Sequence, residues 1–181
     1  MTKVIGFAGY CGVGKTAAVD FCENLGFGRR VYVGKFVLDE ILKTNLLRTP
    51  ESEERIRLEL RDKYGPGFLA GMARPLIQGI LEAGQNVLID AVASLDEAQE
   101  YQKSFDGYFE LIAVSSSFDI RAARLASRGA RSMSAAQIRE RDELERTSVR
   151  TDLLLESAKT TIENNSTIDD FHMSLRQMVS F

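Results

Sequence analysis

Three observations predict an α/β fold, a five-stranded parallel sheet flanked by helices. Short apolar, β-rich runs alternate with longer amphipathic stretches along the whole chain. A glycine-rich turn, Gly9 to Thr16, joins the first apolar run to the first amphipathic stretch. In mid-chain, Asn86-Val87-Leu88-Ile89-Asp90 is an apolar run that ends in a carboxylate. Doubly wound sheets bind ligands at that end of their strands.

Taken in order, strand 3–8 leads through the turn to a helix over 16–25, stopped by Gly26. A short strand over 30–33 precedes helices near 36–47, 51–64 and 68–83, the latter two closed by Gly65-Pro66-Gly67 and by Gly84. In the second of these helices Ile56 and Leu60 fall on one side with arginines on the flanks. Strand 86–90 follows, then strand 108–115, a helix over 119–127, and a charged stretch over 135–158 that is one long helix or a broken pair. A last strand over 160–163 and a closing helix over 169–179 complete the pattern.

Composition narrows the function classes. With 181 residues, 44% hydrophobic and 27% charged, the chain has the make-up of one folded domain with a sizeable core. A net charge of −3 argues against a duplex nucleic-acid binder, whose footprint is basic. Cys11 and Cys22 are too few for a disulfide framework or a four-cysteine zinc site, and fit a reducing, cytoplasmic setting. No leader pattern and no run near the ~20 apolar residues of a membrane span is seen, so no membrane partner is expected. The single histidine, His172, falls on a surface helix, where it reads as structural or exposed.

Gly9-Tyr10-Cys11-Gly12-Val13-Gly14-Lys15-Thr16 matches G-x-x-x-x-G-K-[ST], the phosphate-binding loop of P-loop NTPases, in its required strand–loop–helix context. Glycine lets backbone N–H groups crowd around phosphate oxygens, Lys15 supplies an ammonium for the β- and γ-phosphates, and the Thr16 hydroxyl suits Mg²⁺. The expected ATP contacts are Gly9, Gly12, Val13, Gly14, Lys15, Thr16 and Ala17, at a helix N-terminus that favours anions. Asp90 is the second expected magnesium partner, reaching the ion through water opposite Thr16; the same position also suits a helix cap or loop acid.

A basic cluster runs from Arg121 to Arg131, with Arg124 and Arg128 four apart and so on one helical face. Paired guanidiniums suit phosphate oxygens, and a flat one also stacks on a base; a solvated basic face is the plain alternative. The run Arg139-Glu140-Arg141-Asp142-Glu143 reads as self-paired helix surface from which one arginine can reach the phosphates. Arg61 and Arg74 stand as acceptor contacts or as surface charge.

This order of features resembles the nucleoside monophosphate kinase and dephospho-CoA kinase group, and more closely an uncharacterised kinase-like branch of it best known in archaea. The matching residues are the phosphate loop, Leu60-Arg61-Asp62-Lys63-Tyr64-Gly65, Val87-Leu88-Ile89-Asp90, Arg124-Leu125 with Arg128-Gly129, Glu140-Arg141-Asp142 and Glu163-Asn164-Asn165-Ser166. The resemblance implies one three-layer domain: a core of 1–34, 84–128 and 159–181, a helical acceptor-binding insert over 35–75 and a short lid over 129–137. It assigns base stacking to Arg124, a phosphate clamp to Arg128, and places Asn164 and Asn165 near the adenine. Lys15, Arg128 and Asp90 would then be the catalytic set, ATP and Mg²⁺ the cofactors, and a small nucleotide-like phosphate acceptor the partner.

The chain departs from the branch at the acceptor side. Gly34-Lys35 and Leu38 replace a Gly-Asp pair and an arginine, and Ala91 and Ala93 follow Asp90 where the branch has glycine and arginine. The acid that dephospho-CoA kinases carry after the second strand is missing, Asp39 coming several residues late. The expected activity is thus an ATP-dependent phosphotransferase; a dephospho-CoA kinase-like enzyme and an NTPase switch that transfers no phosphate to a metabolite are the alternatives.

Overall fold

In β1 (Val4–Ala8) every residue is buried, as befits a strand covered on both faces. The computed structural model describes residues 2–129 and 132–179. It places β1 between β3 (Val87–Asp90) and β4 (Phe109–Ser115), with β2 (Arg29–Tyr32) beyond β3 and β5 (Thr160–Glu163) beyond β4. All four pairings are parallel. Register aligns Phe7 of β1 with Asp90 of β3 and with Ile112 of β4, so the loop after β1 opens where the neighbouring strands also end. The phosphate loop therefore sits at the switch point of a doubly wound sheet.

Alternation along the strands sorts the core into two layers. Val4, Ala8, Val31, Val87, Ile89 and Leu111 face one side, against α2 (Gly34–Lys43), α3 (Pro50–Tyr64), α4 (Phe68–Glu82) and α5 (Leu95–Ser104). Ile5, Phe7, Leu88, Ile112, Val114 and Ile162 face the other, against α1 (Lys15–Asn24) and α9 (Ile168–Val179). Cys22 packs in this second layer, as the apolar face of α1 implies, and His172 of α9 stacks on Phe21 at 3.9 Å between ring centres. This is the three-layer P-loop NTPase fold. No helix among the described residues is long and apolar enough to cross a membrane.

Several elements differ from the sequence reading. Helix α2 stops at Lys43 rather than 47, because the Thr44 hydroxyl donates to the Glu40 and Ile41 carbonyls and Asn45 turns to φ 54°. Helix α5 was not anticipated; its polar sequence hides a buried side carried by Ala98 and Tyr101. Its start is marked by Ser94, whose hydroxyl accepts from the Glu97 N–H. The charged stretch over 135–158 is a broken pair, α7 (Ala135–Ser148) and α8 (Thr151–Glu156), divided at Arg150 with φ 58°. Between β4 and α7, α6 (Phe118–Ala126) ends two residues before Arg128, so Arg128 lies in the turn beyond the helix and shares no helical face with Arg124. Of the expected lid over 129–137, residues 130 and 131 lie outside the described residues.

Candidate nucleotide-binding site

The loop from Gly9 to Gly14 takes its shape from backbone that side chains disfavour. Gly12 and Gly14 hold φ values of 88° and 106°, and Gly14 is the N-cap of α1 with no side-chain cap. The first N–H groups of α1 are left for a partner, as an anion site requires. A Cβ on Gly14 would also come within 2.5 Å of the Asn164 amide.

Lys15 folds back along this loop, its Nζ donating to the carbonyls of Gly9 at 2.5 Å and Tyr10 at 3.1 Å. Burial pushes its ammonium below the ordinary range, partly offset by the charge of Glu145. Among the described residues the hydrogen bonds of this ammonium go to these two carbonyls, which a bound polyanion can replace with phosphate oxygens. Thr16 is exposed, and its hydroxyl donates to Asp90 Oδ1 at 3.3 Å. Asp90 itself is buried, and its Oδ2 accepts from Arg30 Nη2. Hydroxyl and carboxylate oxygens are the ligands Mg²⁺ prefers, so Thr16 and Asp90 fit that ion. Ala17 is half-buried in the first turn of α1 against the second core layer.

Two ties hold the loop to the rest of the fold. Buried Asn164, just past β5, donates from Nδ2 to the Val13 carbonyl at 2.8 Å, while its Oδ1 accepts from Arg124 at 3.1 Å. Arg124 also reaches the Asn164 carbonyl at 3.0 Å and is half-buried. Asn165, by contrast, is exposed and accepts from the Ser117 N–H at 2.8 Å at the start of α6. The second tie is buried Arg121, which donates to the Cys11 carbonyl at 3.1 Å and makes a two-pronged bond to Asp142 of α7 at 3.0 and 2.6 Å. Beside it, Tyr10 donates its hydroxyl to Asp152 at 2.6 Å. The sequence flags Arg121 only as one member of a basic cluster and Arg30 not at all, because Asp142 and Asp90, which they hold, lie 21 and 60 residues away.

The other arginines divide. Arg141 bonds Glu145 at 2.7 Å and lies within electrostatic reach of Lys15, so the charged α7 run does bring one arginine near the loop. Arg128 and Arg74 are exposed, and their side chains make no ion pair or hydrogen bond among the described residues. Arg61 sits 3.4 Å from Asp96, which Arg150 also contacts at 2.5 Å. Lys35 and Asp39 pair with each other on α2. Sequence reasoning missed Glu97: it is buried, accepts from the Ala93 N–H at 3.0 Å in the loop after Asp90, and is pushed up to about 7 by burial. The S-x-x-E spacing from Ser94 was its one signal.

No protein-family model matches the chain. A UPF0200/UPF0201 protein of Archaeoglobus fulgidus is 31% identical over 179 residues, 98% of this chain and 55% of that protein. The chain thus spans about half the length of that relative. A UPF0200 protein of Halobacterium salinarum is 28% identical over 98% of this chain and 93% of its own length. Among solved structures, a shikimate kinase from Bacteroides thetaiotaomicron superposes with a TM-score of 0.62 at 11% identity, covering 99% of each chain. A gluconokinase from Sinorhizobium meliloti gives 0.51 at 12% identity, covering 98% of this chain and 93% of its own. The chain therefore has archaeal homologues of the UPF0200 type and the fold of P-loop kinases.

Proposed function

We propose that this chain is an ATP-dependent phosphotransferase that passes the γ-phosphate to a nucleotide-like small molecule. One observation carries the reading: a glycine loop in left-handed backbone, ending in Lys15 and an uncapped helix, with Thr16 facing Asp90 across the ends of β1 and β3. In this reading Gly9, Gly12, Val13, Gly14, Lys15, Thr16 and Ala17 wrap the phosphates. Arg124 and the Asn164–Asn165 turn border the base. Thr16 and Asp90 hold Mg²⁺, which supplies charge neutralisation between phosphate oxygens when bound. Lys15 exchanges its carbonyl partners for the β- and γ-phosphates, and Arg128, just ahead of the expected 129–137 lid, meets the charge on the transferring group. The helices over 35–75 hold the acceptor. An acceptor that is already an oxyanion needs no strong base, so positioning and charge supply most of the rate.

A second reading has one observation in its favour. Arg61, one of the two arginines expected to contact the acceptor, is engaged by Asp96, which Arg150 also holds, rather than left for a ligand. That arrangement suits an NTPase switch. The test is ATP turnover by the purified protein with and without nucleoside monophosphates, deoxynucleoside monophosphates, dephospho-CoA and, for the structural neighbours, shikimate and gluconate. Strong acceleration by one acceptor supports the kinase and names its substrate; slow hydrolysis that ignores all of them supports the switch.

A further inference from the structure

The Asp90 carboxylate is spoken for on both oxygens, and the second partner is the informative one. Its side chain is 6% exposed and pairs through Oδ2 with Arg30, which reaches up from the neighbouring strand β2. The same guanidinium donates from Nη1 to Asp20 Oδ1 at 2.6 Å, and the backbone N–H of Arg30 donates to Glu23 Oε1 at 3.0 Å. Thr16, Asp20 and Glu23 are spaced four and three apart on α1 and so share a face. The contacts close a ring: Thr16 to Asp90, Asp90 to Arg30, Arg30 to Asp20, and back along one turn of α1.

We propose that Arg30 is a positioning residue for the divalent cation, acting through Asp90; the inference rests on the nucleotide-site reading above. A carboxylate that must hold an ion needs a fixed rotamer, with one oxygen turned toward the ion and the other satisfied elsewhere. Arg30 holds Oδ2 and thereby turns Oδ1 toward the Thr16 hydroxyl. It also sets the rotation of α1, since the Asp20 contact lies one turn beyond Thr16. Two acids on different elements are bridged by one planar fork; a lysine ammonium, as a single point charge on a flexible stem, cannot reproduce that geometry. Arginine is the residue type that the arrangement demands.

The test is binding of a fluorescent ATP analogue, first in EDTA and then across a Mg²⁺ titration, for the wild-type chain, Arg30→Gln, Arg30→Lys, Asp20→Asn and the exposed neighbour Arg29→Gln. Arg30→Gln is expected to raise the Mg²⁺ midpoint about 10-fold or more, the scale on which supporting residues act on metal sites. Affinity in EDTA should stay within about 3-fold, since among the described residues the Arg30 hydrogen bonds go to Asp20, Glu23 and Asp90 and not to the phosphate loop. Arg30→Lys and Asp20→Asn should fall between wild type and Arg30→Gln, and they carry the test should Arg30→Gln fail to fold. Arg29→Gln should match wild type. Unchanged Mg²⁺ midpoints in the folded variants, or an equal loss of affinity with and without Mg²⁺, would overturn the positioning role while leaving the nucleotide site intact. A wild-type chain that binds no analogue under either condition overturns both.

Discussion

Replacing Asn164 by alanine is the sharpest single test of how the phosphate loop is held. The substitution deletes an N–H that satisfies the Val13 carbonyl at 2.8 Å and an oxygen that accepts from Arg124 at 3.1 Å. Leaving a buried carbonyl unsatisfied costs about 1–3 kcal/mol, and loss of the bond to half-buried Arg124 adds about 1 kcal/mol. Arg124 keeps the Asn164 carbonyl and the Ser116 hydroxyl, so its own loss is small. The sum is about 2–4 kcal/mol, or roughly 5–12 °C in Tm for a chain of this size. Asn165→Ala removes one exposed bond to the Ser117 N–H and should cost about 1 kcal/mol or less. Urea unfolding of both variants measures the difference as a shift in midpoint at constant slope. Equal costs for the two asparagines, or a cost below 1 kcal/mol for Asn164→Ala, would refute the account of the tie.

Two further outcomes are expected. Arg128→Ala should lower turnover on the order of 100-fold or more, as loss of a charge-stabilising arginine does, while shifting Tm little because Arg128 is exposed; a collapse in Tm with normal specific activity would make the residue structural. Glu97 titrates at about 7 in the fold against an ordinary 4.5, so the folded state holds its proton longer than the unfolded one. The stability this contributes is whole below pH 4.5 and is lost as pH rises through 7, by on the order of 3 kcal/mol. Glu97→Gln, which keeps an acceptor for the Ala93 N–H, should flatten that decline and be the more stable protein at pH 8, as read by urea melts at pH 5 and pH 8.

What the sequence made legible was local chemistry. Strands β1 and β3 announce themselves because both their faces are buried, and the phosphate loop because its residues are contiguous and its backbone demands glycine. Asp90 follows from its place at the end of an apolar strand. The rest depends on distant pairing. Arg30 reads as an ordinary strand residue until β2 is laid beside β3, and Arg121 as one more basic residue until α7 brings Asp142 to it. Asn164 and Asn165 are chemically identical in sequence; only the approach of Gly14 shows which one is buried against the loop. Arg128 was placed by helical spacing, which ceases to apply where α6 ends at Ala126. Helix α5 was lost because two of its buried residues, Glu97 and Tyr101, are polar types that burial patterns do not flag.

The most direct test of the nucleotide site is calorimetric titration of MgATP into the wild-type chain and into Lys15→Ala. The account predicts saturable binding to the wild type below millimolar concentration and loss of that binding in the variant, because the loop would keep its amides but forfeit its cation. Absence of heat from the wild type at millimolar MgATP, or equal affinity in both proteins, would contradict it.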